Sequence, residues 1–73
     1  MKIVKVRITE LPKSLFDPMP QVWATYEDGQ EEMLFDYYPD EISFHQAEFI
    51  GLTRDQALDL RHRKDVAFLR KGL

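Results

Sequence analysis

Residues 22–35, VWATYEDGQEEMLF, place Asp28-Gly29 between two runs in which apolar and polar residues alternate. This dipeptide is favoured at the two-residue type I′ turn of a β-hairpin. Such a turn sets the cross-strand pairs Val22–Phe35, Trp23–Leu34, Ala24–Met33 and Thr25–Glu32. In these pairs apolar residues lie opposite apolar residues, and polar opposite polar. Because a slip of one residue would move every side chain to the opposite face, this match predicts a hairpin in this register.

The predicted hairpin has an apolar face and a mixed face. The apolar face is the candidate core, formed by Val22, Ala24, Met33 and Phe35 and extended by Tyr37. The mixed face combines aromatic and acidic side chains: Trp23, Thr25, Glu32, Leu34, Asp36 and Tyr38. Two interpretations stay open for this face. It is a contact patch for a partner, or the Pro-rich loop or the chain's end covers Trp23, since tryptophan is usually largely buried.

The segment before the hairpin predicts one more strand and a loop. Alternation puts Val4, Val6 and Ile8 on one face and leaves the opposite face basic, with Lys5, Arg7 and Thr9. Residues 10–20 contain three prolines, which makes a continuous strand improbable there. We expect the loop to tuck its apolar side chains against the sheet: Leu11, Leu15, Phe16 and Met19.

The segment after the hairpin predicts helices. Ser43 with Gln46, and Thr53 with Gln56, each match the S/T-x-x-E/Q capping box, which places helix starts just after residues 43 and 53. Gly51 separates the two helices, and Gly72 is the expected C-terminal cap. The second helix either runs on or breaks near residues 63–65, where a lysine interrupts its apolar stripe.

These elements predict a single small α+β domain over residues 1–73, with a β half at 1–39 and an α half at 43–72. Its architecture is a three-stranded antiparallel β-meander, order 1-2-3, packed against one or two C-terminal helices. The expected core consists of Val4, Val6, Ile8, Val22, Ala24, Met33, Phe35, Phe44, Ile50, Leu52, Ala57, Leu60 and Phe68. A core of this size is marginal, so self-association is an attractive means of stabilisation.

Charge is sorted along the chain, whose net charge is −3. The segment between Lys13 and Arg54 contains no lysine or arginine and nine acidic residues, whereas both ends are basic. Such sorting can steer a partner, although it identifies no reaction. The chain has no cysteine, no membrane-length apolar segment and no signal-peptide pattern, which together predict a soluble cytoplasmic protein that does not engage a membrane.

Enzyme signatures are weak. The chain has no G-x-S-x-G motif, and its three glycines are too dispersed for a phosphate-binding loop. His45 and Glu48 could share a helical face as metal ligands, and the carboxylates Asp36, Asp40 and Glu41 could form an acid/base pair. A solvated or capping histidine and solvated carboxylates are the simpler interpretation. We therefore expect no catalytic, metal or cofactor site.

The leading functional prediction is a non-enzymatic protein-interaction module. Its predicted contact residues lie on the sheet and hairpin: Trp23, Glu27, Asp28, Glu31, Glu32, Asp36 and Tyr38. The partner would be another protein, for which the acidic side chains favour a basic one, or a second copy in a homodimer. The hairpin acids could instead be solvated charges that protect an exposed strand edge: Glu27, Asp28, Glu31 and Glu32. The basic ends could also neutralise the acidic segment within the chain.

The alternative prediction is nucleic-acid binding by the C-terminal helix. Its phosphate-binding residues would be Arg54, Arg61, Arg63, Lys64, Arg70 and Lys71. Asp55, Asp59 and Asp65 lie among these bases, and the sequence pI of about 5.2 is far below that typical of a nucleic-acid-binding domain. Both observations favour the interaction module.

Overall fold

The computed structural model describes residues 1–11, 13–14, 16–39 and 41–71. The predictions for Leu15, Asp40 and Gly72 lie outside these residues. The elements are β1 (Ile3–Ile8), β2 (Gln21–Tyr26), β3 (Glu31–Asp36), a short 3₁₀ helix (Gln46–Glu48) and α1 (Arg54–Lys71). The strands form an antiparallel sheet of order β1-β2-β3, which confirms the predicted α+β class and strand order.

The hairpin between β2 and β3 has a three-residue loop, not the predicted two-residue loop. The Gly29 N–H donates to the Tyr26 carbonyl at 2.9 Å, and the Tyr26 N–H donates to the Gln30 carbonyl at 2.9 Å. Gly29 has φ +86°, while no non-glycine residue in the described part of the chain has a positive φ. A type I′ turn needs positive φ at both central residues, so the loop is instead of the kind that closes on a glycine bulge.

This loop moves the register by one residue near the turn. Trp23 pairs with Met33, Ala24 with Glu32 and Thr25 with Glu31, so three predicted pairs are wrong. A bulge at Leu34 then restores the predicted Val22–Phe35 pair. Met33 consequently lies on the face opposite the core and is 43% exposed.

A second bulge lies in β1, where Ile3 pairs with Tyr26 and Lys5 with Thr25, so that Val4 is the extra residue. The predicted alternation fails at this point because a bulge inserts one residue without a partner. Ile3 is buried, whereas Val4 is 53% exposed. Val6 keeps its predicted place in the core.

Four aromatic rings dominate the core. Phe44 is central, with its ring centroid 5.1 Å from Phe35, 5.0 Å from Tyr37 and 5.6 Å from Phe49. Tilted and edge-on contacts at these distances are favourable for aromatic rings. The other buried apolar residues are Ile3, Val6, Val22, Ala24, Tyr26 and Ala57.

Several predicted core residues are exposed instead. Ile50 and Phe68 are 49% and 37% exposed. In the Pro-rich loop Leu11 and Phe16 are 60% and 96% exposed, so the expectation that they tuck against the sheet is wrong. Pro20, at the end of this loop, is fully buried, so the loop joins the core at that residue and not through Leu11 or Phe16.

The link to α1 adds a short pairing to the outer edge of β1. The Ile3 N–H donates to the Leu52 carbonyl at 2.7 Å, and the Gly51 N–H donates to the Ile3 carbonyl at 2.9 Å. Gly51 has φ +86°, a conformation that favours glycine, and it ends the segment that holds the 3₁₀ helix. The predicted capping box of Ser43 and Gln46 is wrong, because that helix begins two residues later and the His45 N–H donates to the Glu48 carboxylate at 2.7 Å.

α1 begins at the predicted capping box and is continuous. The Thr53 N–H donates to Gln56 Oε1 at 2.9 Å, and the Gln56 N–H donates to Thr53 Oγ1 at 3.2 Å. The helix runs through Lys64, so the alternative with a break near that residue is wrong. Ala57 is the buried residue of α1, and residues 67–71 are exposed.

Lys64 anchors the middle of α1 on the segment before the 3₁₀ helix. Its Nζ donates to the Ser43 carbonyl at 2.6 Å and to the Glu48 carboxylate at 2.8 Å, and lies 4.3 Å from the ring centroid of Phe44. Burial raises the pKa of Glu48, but hydrogen bonds from Lys64 and from the His45 N–H outweigh burial and leave this pKa lowered. A lysine interrupts the apolar stripe here because its ammonium group lies over an aromatic ring and is paired with an acid.

Candidate protein-interaction surface

The side of the sheet opposite the aromatic core is the candidate surface. Side chains alternate along each strand, so the register defines its members, which we call the open face: Lys5, Arg7, Gln21, Trp23, Thr25, Glu31, Met33 and Asp36. Val6, Val22, Ala24 and Phe35 point the other way, into the core. Lys5, Arg7, Glu31 and Met33 are exposed, so solvent reaches the open face from both outer strands.

Trp23 lies at the centre of the open face. It is half-buried, with Arg7 beside it on β1 and Met33 beside it on β3. The Arg7 guanidinium carbon lies 5.3 Å from the ring centroid, within the range of a cation–π contact. The indole Nε1 donates to Gln21 Oε1 at 3.1 Å. These contacts hold the indole in place and leave part of its surface accessible.

Charge on the open face is sorted by strand. β1 contributes the two bases Lys5 and Arg7, whereas β3 contributes the two acids Glu31 and Asp36. One ion pair crosses the face, between Arg7 and Glu31 at 3.5 Å, with side chains 56% and 43% exposed. A pair that is this long and this exposed contributes little stability, so its members are free to exchange partners.

The structure divides the predicted contact residues among four places. Trp23, Glu31 and Asp36 share the open face. Glu27 and Asp28 lie at the exposed hairpin tip, and Tyr38 follows β3 and is 61% exposed. Glu32 and Leu34 were placed beside Trp23 by the predicted register, and this placement is wrong.

Glu32 instead belongs to the side of the sheet that carries α1. It lies opposite Ala24, forms an ion pair with Arg54 at 3.0 Å and accepts a hydrogen bond from the Tyr26 hydroxyl. Burial, followed by this hydrogen bond and the Glu32 charge, raises the pKa of Tyr26 to about 12. Leu34 is the bulged residue and packs against the core.

The basic ends of the chain neutralise part of the acidic segment. Arg7 pairs with Glu31, Arg54 with Glu32 and Lys64 with Glu48. This is one of the outcomes that the charge sorting suggested. The surface of the protein is consequently less acidic than the middle of its sequence.

Sequence reasoning missed the basic half of the open face. It identified the basic outer side of β1 and placed β1 beside β2, but it set no register between these strands and so did not join Lys5 and Arg7 to Trp23. It also assigned Met33 to the core. The available signal was the alternation of β1, which already separated Lys5 and Arg7 from the apolar side chains.

The basic residues of α1 are mostly engaged within the chain. Arg61 lies 5.4 Å from the ring centroid of Phe35 and 3.6 Å from the Asp65 carboxylate, while Arg63 pairs with Asp59 at 3.0 Å. Lys64 and Arg54 are paired as described above. Arg70 and Lys71 lie in the exposed last turn. The helix therefore presents fewer available cations than its sequence suggests.

Within residues 1–11, 13–14, 16–39 and 41–71, no group of three or more potential ligands lies together as a metal site would require, and the Glu48 carboxylate is already bound by Lys64. No helix in the described part of the chain has the length and apolarity to cross a membrane. A comparison of the chain with protein-family models, curated proteins and solved structures found no match.

Proposed function

We propose that this protein is a small non-enzymatic interaction module that binds another protein, or a second copy of itself, through the open face. One observation carries this proposal: a partly accessible tryptophan lies at the centre of a sheet face whose outer strands are exposed to solvent. Tryptophan, arginine and methionine are enriched at protein interfaces, and tryptophan is prominent among the residues that dominate binding energy.

The distribution of the other side chains supports the same surface. Trp23 and Met33 form an apolar strip, and charged side chains border it on β1 and β3. An apolar centre with a polar rim is the usual anatomy of a protein interface. Because the rim carries both signs, the partner is expected to carry both signs rather than to be simply basic.

The proposal is tested by site-specific photo-crosslinking in the cells that produce the protein. A photoreactive amino acid replaces Thr25, beside Trp23, and in a matched control it replaces His62, which is exposed on α1. We expect a protein adduct from position 25 and none from position 62. The adduct should disappear when Met33→Glu places a charge in the apolar strip.

An absence of adduct at position 25, or an equal yield at position 62, would contradict the proposal. Nucleic-acid binding has less support, because Arg61 and Lys64 are held by acids and aromatic rings of the chain, and Asp55, Asp59 and Asp65 lie among the bases of α1. An adduct with nucleic acid at position 62 and none with protein at position 25 would favour that alternative.

A further inference from the structure

We infer that the occupant of the open face is a second copy of this chain, packed face to face about a two-fold axis parallel to β2. This inference rests on the proposed function and names its partner. It follows from the charges of the open face, which are basic on one outer strand and acidic on the other, with the tryptophan strand between them.

The arrangement of these charges selects one symmetry. Two sheets can meet face to face about an axis parallel to their strands or about an axis perpendicular to them. The parallel axis lays β1 of one copy over β3 of the other, so that the basic strand meets the acidic strand twice. The perpendicular axis lays β1 over β1 and β3 over β3, which opposes like charges. Complementary charge therefore favours the parallel axis.

The register shows which side chains would meet. Lys5, Thr25 and Glu31 lie at one level across the three strands, and Arg7, Trp23 and Met33 lie at another level on the same face. A two-fold axis parallel to β2 keeps each level over itself. Lys5 then lies over Glu31 of the second copy, Arg7 lies over Met33, and the two Trp23 side chains meet at the axis.

The Arg7–Glu31 ion pair within one copy does not prevent these side chains from pairing with the second copy. Arg7 and Glu31 of one copy are 3.5 Å apart and well exposed, so their mutual attraction is screened by water. In the dimer Glu31 lies over Lys5 of the second copy, and Arg7 lies one level away from Glu31 of that copy. Burial of Trp23 and Met33 supplies the apolar contribution.

The size of the face predicts a weak dimer. Three six-residue strands cover about 20 Å by about 14 Å, so two faces bury less than the roughly 1,200 Å² that is typical of stable complexes. The dimer should therefore form at micromolar to millimolar concentration, and its dissociation constant should rise with salt.

Sedimentation equilibrium from about 10 μM to about 1 mM tests the inference. The wild-type mass should rise from 8.7 kDa toward twice that value as concentration increases. Lys5→Glu/Arg7→Glu makes both outer strands acidic, and Glu31→Lys/Asp36→Lys makes both basic. Each double variant should dimerise at least about tenfold more weakly, because like charges then oppose each other at both edges.

An equimolar mixture of the two double variants tests whether the charged outer strands of the two copies face each other. An acidic face then meets a basic face, so the mixture should form a heterodimer although neither variant forms a homodimer. Arg63→Glu/Arg70→Glu is the matched control, since it makes the same change in net charge on exposed residues of α1 and should dimerise like the wild type. Near-ultraviolet circular dichroism and thermal unfolding establish that each variant is folded.

A wild-type protein that stays monomeric at about 1 mM would overturn the inference. Folded double variants that fail to associate when mixed would also overturn it. So would a control whose dimer is weakened as much as that of Lys5→Glu/Arg7→Glu. Crosslinking separates these failures from failure of the proposed function. A monomer whose position 25 crosslinks to a different protein retains the interaction surface and loses the self-association, whereas a monomer with no adduct loses both.

Discussion

Replacement of Lys64 by methionine tests how α1 is held on the domain. Methionine is also unbranched and has a helix propensity close to that of lysine, so the change removes mainly the charge and with it the cation–π contact with Phe44. It eliminates the hydrogen bonds from Nζ to the Ser43 carbonyl at 2.6 Å and to the Glu48 carboxylate at 2.8 Å. The Glu48 carboxylate is left without its cation.

The expected cost follows from the exposure of these groups. Hydrogen bonds that involve a charged group contribute about 1.5–3 kcal/mol each when buried. The Lys64 and Glu48 side chains are 27% and 34% exposed, so water screens the pair and replaces part of what is lost. We expect Lys64→Met to lower the free energy of unfolding by about 2 kcal/mol, which lowers the Tm of a domain this small by roughly 8–16 °C.

The neighbouring residue supplies a matched control. Arg63 pairs with Asp59 at 3.0 Å, but these side chains are 66% and 61% exposed. Arg63→Met should therefore cost only about 0.3–0.5 kcal/mol. Both free energies are measured by urea unfolding followed by circular dichroism. If the two variants differ by less than about 0.5 kcal/mol, the anchoring role assigned to Lys64 is wrong.

The difference in free energy of unfolding between the wild type and Lys64→Met should depend on pH, because Glu48 is the ion-pair partner of Lys64. Its pKa is lowered from the ordinary value of 4.5 because the hydrogen bonds from Lys64 and His45 outweigh the opposing effect of burial. The ion pair therefore stabilises the fold fully above the unfolded-state pKa, and this stabilisation is lost as pH falls through the lowered pKa. The gap between wild type and Lys64→Met should narrow in acid. A gap that stays constant down to the acid limit of folding would assign the whole effect to the bond with Ser43.

Three further predictions concern the core and the caps. Tyr26→Phe removes the hydroxyl that donates to Glu32 and should lower the free energy of unfolding by about 1 kcal/mol. The pKa of Tyr26 is raised to about 12, so the wild type loses the stabilisation from this hydroxyl as pH rises above 10, and the variant should not show that loss. Urea unfolding in buffers on either side of pH 10 measures the cost and its pH dependence. Thr53→Ala removes the capping box of α1 and should cost about 1 kcal/mol, with lower helical ellipticity before unfolding. Phe49→Ala should cost about 3–5 kcal/mol by thermal or urea unfolding, whereas Leu69→Ala, at a side chain that is 61% exposed, should stay within about 0.5 kcal/mol.

The three strands and α1 could be predicted because their signals are local. Asp28-Gly29 marks the hairpin, and Thr53 with Gln56 marks the start of α1. The register of the hairpin could not be predicted, because a glycine with positive φ serves a two-residue turn and a three-residue loop equally well. Local sequence therefore identified the turn but not the number of residues it contains.

Long-range contacts account for the other errors. Lys64 reads as an interruption of an apolar stripe because its acceptors lie 21 and 16 residues away, at Ser43 and Glu48. Phe16 was expected to tuck against the sheet because nothing in its own segment shows that its side chain is exposed. Such features depend on tertiary packing, which cannot be predicted from composition and residue spacing.

The candidate site was predicted in part for a related reason. Trp23, Glu31 and Asp36 were identified, but the acidic residues were grouped by their sign along the chain rather than by their face. Folding sends Glu32 to the other side of the sheet and brings Lys5 and Arg7 beside Trp23. The sequence suggested a uniformly acidic surface, whereas the open face carries basic residues on β1 and acidic residues on β3.

The two bulges give the sheet a tolerance for changes in chain length. Val4 and Leu34 are each the unpaired extra residue of an outer strand, whereas β2 between them pairs continuously on both sides. Removing either residue would bring its neighbours into ordinary pairing and would leave the inward and outward alternation of the remaining side chains unchanged. A deletion elsewhere in β1 or β3 would reverse that alternation. The sheet can therefore lose a residue at these two positions and still keep its aromatic core on one side and its open face on the other.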